Sequence, residues 1–142
     1  MTPSTSTRPG WLSLWLPVIA VCSAIFILSS FSQLPTPPDG LTDKHEHFTA
    51  YFILGLTFVR AFAGGRLAGV TWRAALLTIL CVSLYGASDE IHQSFVPGRD
   101  SDVLDWRADT IGGTGAAGLA LAWAIIRRSA SANRHALRDP HR

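Results

Sequence analysis

The charges of this chain are sorted against its apolar segments. Nine of its ten carboxylates lie in residues 39–46 and 89–109, and only Asp139 lies elsewhere. Nine of its twelve basic residues lie outside those windows: Arg8, Arg60, Arg66, Arg73, Arg127, Arg128, Arg134, Arg138 and Arg142. A soluble domain has no reason to sort charge in this way. A chain threaded back and forth through a bilayer does, because segments rich in Lys and Arg stay in the cytoplasm. Four apolar stretches can be drawn, with the acids at one set of their ends and the arginines at the other.

The size of the chain suits this reading. Each spanning helix needs about 20 mostly apolar residues. Four of them nearly consume a chain of 142 residues, leaving short loops and two tails. Charged residues make up 15% of the sequence, against roughly 25% in a soluble domain. The net charge of +2 does not point to nucleic acid, since the basic residues are split between one loop and a tail, where they suit topology and anionic headgroups. Cys22 and Cys81 fall inside apolar segments and read as small buried hydrophobes.

The expected fold is an all-α membrane protein, an antiparallel bundle of four transmembrane helices with both termini cytoplasmic. Residues 1–10 form a Ser/Thr/Pro-rich N-terminus expected to be disordered, residues 11–126 the membrane domain, and residues 127–142 a basic cytoplasmic tail. The first apolar run, residues 11–31, is read as an uncleaved helix rather than a signal peptide, because the run is long and only Arg8 precedes it. Three prolines in residues 34–40 make an outer loop. The second helix is expected from Asp43 to about Gly64, the third from Trp72 to about Gln93, and the fourth from a cap at Asp102 to about Ile126. Asp105, three residues beyond Asp102, suggests a capping box. Gly64, Gly65 and Arg66 form a basic turn, and Pro97-Gly98 marks another. Trp11, Trp15, Trp72, Trp106 and Trp123 sit near span ends, where interfacial anchors belong.

Polar residues recur at helical spacing near the outer ends. Asp43, His47 and Tyr51 share one face of the second helix, with Lys44 beside them. Tyr85, Asp89 and Gln93 share a face of the third, with Glu90 next to Asp89 and His92 one turn away. Asp105 and Asp109 share a face of the fourth. An ionised side chain at mid-bilayer costs about 2.5–3.5 kcal/mol on insertion scales. Asp89 and Asp109 are therefore expected to face each other inside the bundle with Arg99, Lys44 or Arg107 between them. One reading is a polar pocket open to the outside; the other is a satisfied interhelical network that fixes packing. The density of ionisable groups at one level favours the pocket. Ala108, Gly112, Ala116, Ala120 and Ala124 form a small-residue stripe for close helix packing. The glycines at 112, 113 and 115 do not make a phosphate loop, because no strand precedes them and no lysine follows.

Two stretches resemble the VanZ-like family of small membrane proteins. The first runs from residues 26–30 through the proline loop to Asp43-Lys44-His45-Glu46-His47-Phe48-Thr49-Ala50-Tyr51-Phe52. The second is Tyr85-Gly86-Ala87-Ser88-Asp89-Glu90-Ile91-His92-Gln93-Ser94-Phe95-Val96-Pro97-Gly98-Arg99, followed by Asp105, Asp109 and Gly112. The resemblance covers roughly residues 20–125. It implies a four-helix protein of the bacterial inner membrane, and a founding member associated with resistance to the glycopeptide teicoplanin. It implies no assigned reaction.

Three functional readings follow from the residues. In the first, Lys44, Arg99 and Arg107 hold the phosphate or carboxylate of an anionic lipid, a lipid-linked cell-wall precursor or teicoplanin, and His47, Tyr51 and Gln93 supply oriented hydrogen bonds. The ligand-binding set is then Asp43, Lys44, His47, Tyr51, Tyr85, Asp89, Glu90, Gln93, Arg99, Asp105 and Asp109. In the second, an intramembrane enzyme uses His47, Asp89, Asp105 and Asp109 for acid–base chemistry, with Asp43 or Asp89 orienting the histidine; carboxylates with His47 or His92 would also hold a divalent cation. The His45-Glu-His47 and Glu90-Ile-His92 pairs do not share a helix face, His92 reads better as a hydrogen-bonding residue than as a ligand, and no Ser, Thr or Cys sits in a nucleophile setting. No cofactor is required and no metal ligand set is assigned. In the third, an ion-coupled carrier, the helices would need a dimer to complete a path. The bilayer is the expected partner, with a homodimer as the candidate assembly and no nucleic acid.

Overall fold

The computed structural model describes residues 9–32 and 43–138. The proline-rich loop expected at 34–40, Asp39 within it, Arg8 and the residues from Asp139 onward lie outside the described residues, as does the side chain of Asp43. Four α-helices follow in order: α1 (Trp11–Ser29), α2 (Asp43–Phe62), α3 (Trp72–Gln93) and α4 (Val103–Arg138), with one turn of 3-10 helix at Leu67–Gly69 before α3. Among the described residues there is no strand.

Local chemistry sets most of these ends. α2 stops at Phe62, ahead of Gly64 and Gly65, whose φ values of 66° and 85° lie in the left-handed region that glycine reaches without strain. Thr71 caps α3, its hydroxyl accepting from Ala74 N–H at 3.2 Å. Asp102 caps α4 through Oδ1, which accepts from Leu104 N–H at 2.8 Å. The expected capping box is only half formed. The Asp102 N–H donates to Glu90 Oε2 at 2.8 Å, and Asp105 turns instead to Lys44. α4 does not end near Ile126 but continues to Arg138. No proline or glycine interrupts residues 119–138, so the change from apolar to basic side chains leaves the backbone ladder intact.

The helices alternate in direction. At one end, His92 Nε2 of α3 lies 2.9 Å from Ser30 Oγ just beyond α1, and Lys44 of α2 pairs with Asp102 at the start of α4, at 2.6 Å. At the other end, Arg60 donates to Ser13 O at 3.0 Å and Arg128 to Val70 O at 2.8 Å. The acid-rich ends of the helices thus meet each other, and the arginine-bearing ends do likewise.

The burial pattern inverts that of a soluble protein. His47, Asp89, Glu90, Gln93, Asp105 and Asp109 are buried, whereas Leu12, Leu16, Ile19, Leu80, Leu84, Leu119 and Ile126 are exposed. In water this arrangement would be costly; in hydrocarbon it is the stable one. α1, α3 and residues 103–134 of α4 are each long and apolar enough to cross a membrane. α2 falls short of that on its own, because its first two turns hold Asp43, Lys44, His45, Glu46 and His47 and Arg60 lies near its end. One face of it is packed inside, with Tyr51, Leu54 and Val59 fully buried, while Phe48, Ile53 and Leu56 are exposed on the other.

The small residues of α4 make that packing close. α2 and α4 share the most extensive helix interface. A Cβ on Gly113 would fall 2.5 Å from Val82 Cγ1, and one on Gly55 would fall 2.8 Å from Ala116 Cβ. Of the expected stripe, Gly112, Ala116, Ala120 and Ala124 are buried and Ala108 is half-buried. Trp15 is not only an interfacial residue: it packs edge-on against Phe58 and Phe62. Gly118 has open space around it. Gly113→Ala should therefore destabilise the bundle by about 1–3 kcal/mol through overpacking, while Gly118→Ala should be neutral or slightly stabilising. Thermal unfolding of both variants in detergent checks this; equal midpoints would contradict it.

Candidate functional site

The polar ends of α2, α3 and α4 converge beneath the acid-rich surface. Tyr51 and His47 lie one turn apart on α2, Asp89 and Gln93 one turn apart on α3, and Asp105 and Asp109 one turn apart on α4. Their shared depth follows from the alternating directions of the helices. All but Gln93 meet a partner on another helix. His47 Nδ1 stands 2.9 Å from Asp109 Oδ1. Tyr51 donates its hydroxyl to Asp89 Oδ2 at 3.2 Å, and Gln93 Nε2 donates to the same oxygen at 3.2 Å. Arg99 Nη2 donates to Gln93 Oε1 at 2.8 Å.

The turn after α3 delivers Arg99 to this position. Pro97 and Gly98 occupy its centre, and Arg99 N–H closes it on Val96 O at 3.1 Å. The φ of 81° at Gly98 is the left-handed value that a type II turn needs at that position. The chain reverses, and the guanidinium returns to the last turn of α3.

Above this layer sits an ion-pair cluster. Lys44 binds both Asp102 and Asp105. The Asp102 carboxyl is held below its usual range, chiefly by the hydrogen bond from Lys44 and next by the Leu104 N–H. Its link to Lys44 is therefore in place at neutral pH and is lost only as acid takes the pH down through that lowered value.

A cavity of about 100 Å³ opens beside these residues, lined by α1 as well as α2 and α3. Its polar wall is His47, Glu46, Asp89, Gln93 and Arg99, and its apolar wall includes Ile25, Leu28 and Ala50. Three buried carboxylate oxygens have no hydrogen-bond partner: Asp89 Oδ1, Glu90 Oε1 and Asp109 Oδ2. One donor atom from each of His47, Glu90 and Asp109 lies within 4.8 Å of the others.

Of the residues expected from sequence, His47, Tyr51, Asp89, Gln93 and Arg99 line one cavity, and Asp109 joins them through His47. Lys44 and Asp105 form the neighbouring ion cluster. Tyr85 turns away, donating to Cys22 O on α1 at 2.6 Å. Glu90 faces Asp102 and the His47–Asp109 pair rather than the cavity. Asp109, at the same depth on the facing helix, orients His47, while Asp89 accepts from Tyr51 and Gln93 instead; the side chain of Asp43 lies outside the described residues. None of the three expected cations bridges Asp89 and Asp109: Arg99 reaches Gln93, Lys44 reaches Asp102 and Asp105, and Arg107 is exposed. His92 stacks on Phe26 at 4.4 Å and meets Ser30, a hydrogen-bonding role between helices as expected. Sequence reasoning missed Ser29 and Glu46 in the wall and Asp102 as the partner of Lys44. Ser29 and Ser30 ending a greasy run were the available signal for α1; nothing in the spacing pointed to the other two.

Comparison with known proteins places the chain in a family. A family model described as VanZ/LLP1 matches residues 19–127. An uncharacterized protein of Schizosaccharomyces pombe, C11E3.10, is 33% identical over 97 residues, which cover 67% of this chain and 57% of that protein. The chain thus spans little more than half the length of this relative. No solved structure matches. The match of 19–127 takes in all of α2 and α3 and the polar layer that their ends build with α4, and on that ground this chain belongs to the VanZ/LLP1 family.

Proposed function

We propose that the protein is a multi-pass protein of the bacterial inner membrane whose acid-rich end faces outward and holds the anionic headgroup of an envelope lipid or lipid-linked cell-wall precursor. The observation that carries this reading is Arg99. Its guanidinium lines the cavity half-buried and donates to a neutral amide, Gln93 Oε1, rather than to a carboxylate. A guanidinium so placed keeps donors for the planar fork that phosphate and carboxylate accept. The cavity size supports a headgroup rather than a whole glycopeptide. Sites for drug-sized molecules run to roughly 300–1,000 Å³, and this one is about 100 Å³. The apolar residues Ile25 and Leu28 of α1 flank it, where the start of an acyl chain would emerge.

The outward orientation follows from the arginines. Arg60, Arg66 and Arg73 flank the α2–α3 connection, and Arg127, Arg128 and Arg134 lie along the last part of α4. Both termini are then cytoplasmic. Alkaline phosphatase fused after Gly65 should be inactive and after Gly98 active; the opposite result would reverse the sidedness. For the ligand, native mass spectrometry of the purified protein should show phosphate-bearing lipids co-purifying, with Arg99→Ala weakening them about tenfold or more, as the loss of a hydrogen bond to a charged group implies. Unchanged lipid binding by that variant would remove this reading.

A second reading, acid–base chemistry on the same headgroup, draws on one further observation. His47 faces the cavity while buried Asp109 holds its Nδ1, the relation in which a carboxylate orients a catalytic imidazole. Release of a chemically altered lipid by wild type, lost in His47→Ala while Arg99→Ala retains product formation at high lipid concentration, would select it. The carrier reading has no comparable support. Toward the arginine-bearing ends Val59, Val70, Ala120 and Ala124 pack into an apolar cluster, and the buried Thr78 spends its hydroxyl on Ala74 O.

A further inference from the structure

Behind the cavity wall, α2, α3 and α4 bring together three side chains that are almost wholly removed from solvent. His47 is 8%, Glu90 5% and Asp109 0% exposed. One donor atom from each lies within 4.8 Å of the other two. The side chains on either side are already engaged. Glu90 Oε2 accepts the Asp102 N–H and Asp109 Oδ1 faces His47 Nδ1, leaving Glu90 Oε1 and Asp109 Oδ2 without partners. Buried oxygens of this kind are uncommon in folded proteins, because an unmet acceptor carries its full desolvation penalty.

The charge balance sharpens the point. Two carboxylates and one imidazole are net negative whichever state the imidazole takes. The one lysine of the chain is committed to Asp102 and Asp105, Arg99 to Gln93, and Arg107 is exposed. Among the described residues, no lysine or arginine is seen paired with Glu90 or Asp109. A proton shared between them would neutralise one charge; a divalent cation neutralises two and engages donors from all three helices at once.

We propose that His47, Glu90 and Asp109 form a divalent transition-metal site, with Zn²⁺ or Mn²⁺ as its occupant. One imidazole nitrogen with two carboxylate oxygens is a donor set that these ions accept, and Mg²⁺, which keeps its waters and favours oxygen alone, suits it less. With bonds of about 2.1 Å, ligands on opposite sides of such an ion stand roughly 4.2 Å apart, so a small contraction of the cluster completes the site. Three protein ligands leave a coordination position open. His47 belongs both to this cluster and to the cavity wall, so the cluster adjoins the ligand space.

The test uses the full-length protein in detergent, stripped with chelator and dialysed against Zn²⁺ or Mn²⁺. Bound metal is counted by plasma mass spectrometry, and affinity is measured by calorimetry. Wild type should retain about one equivalent. Glu90→Gln and Asp109→Asn, which keep shape and remove charge, should bind about tenfold or more weakly, at least the loss that altering a metal's surroundings brings. Arg99→Ala should bind metal as wild type does, so failure of the lipid-headgroup reading leaves this result untouched. Thermal unfolding separates metal loss from misfolding; if Asp109→Asn fails to fold, Glu90→Gln carries the decision, since its amide oxygen can still accept the Asp102 N–H. Wild type holding no metal above the detergent blank, or folded variants holding as much as wild type, overturns the proposal.

Discussion

The pairing of His47 with Asp109 is the contact on which the polar end of this bundle depends. It joins α2 to α4 at a depth where both side chains are buried, Asp109 completely. In an apolar surrounding, an unpaired member of such a pair would be strongly unfavourable. The two helices are consequently held in one axial register, and the rest of the layer falls into place around it. Tyr51, one turn further along α2, is brought to Asp89, and Lys44, one turn back, is brought to Asp105. A shift of either helix by one turn would leave several of these groups without partners together.

Close approach makes this register attainable. Gly112 and Gly113 lie one turn beyond Asp109 on α4 and leave no room for a side chain against α2 and α3. Gly86 on α3 does the same for Asp109 itself, since a Cβ there would fall 2.8 Å from Asp109 Oδ2. The glycines and the carboxylates therefore form one design. Small residues let three helices approach closely enough for short polar side chains to reach across, and the hydrogen bonds then oppose sliding of the smooth surface that the small residues create. α1 stands apart from this arrangement. It joins through Trp15 at one end, Tyr85 to Cys22 along its length and Ser30 to His92 at the other, and it contributes the apolar side of the cavity.

Much of this was legible in the chain. Helical spacing put His47 with Tyr51, Asp89 with Gln93, and Asp105 with Asp109, and the structure keeps each pair on one face. Side-chain periodicity depends only on the helix repeat, so it survives whatever the packing becomes. Partner choice did not follow in the same way. Tyr85 shares the spacing of Asp89 and Gln93 yet bonds to the backbone of α1, and Glu90 turns to the Asp102 N–H instead of the cavity. A position on a helical face fixes direction to within about a quarter turn, and the rotation of the neighbouring helix decides the rest. α4 runs past the expected end near Ile126 to Arg138, because a change from apolar to basic side chains leaves the backbone hydrogen bonds intact.

The sequence by itself determined the composition of each helix face, the segregation of acids from arginines and the positions of the close-packing glycines, because these depend on order along one strand of chain. Tertiary structure alone decided that Asp109 orients His47, that Lys44 goes to Asp102 and Asp105 rather than between Asp89 and Asp109, and that α1 closes one side of the cavity. Those outcomes depend on the rotation and depth of helices relative to one another. They are settled by the joint packing of side chains far apart in the chain, which no single helix encodes.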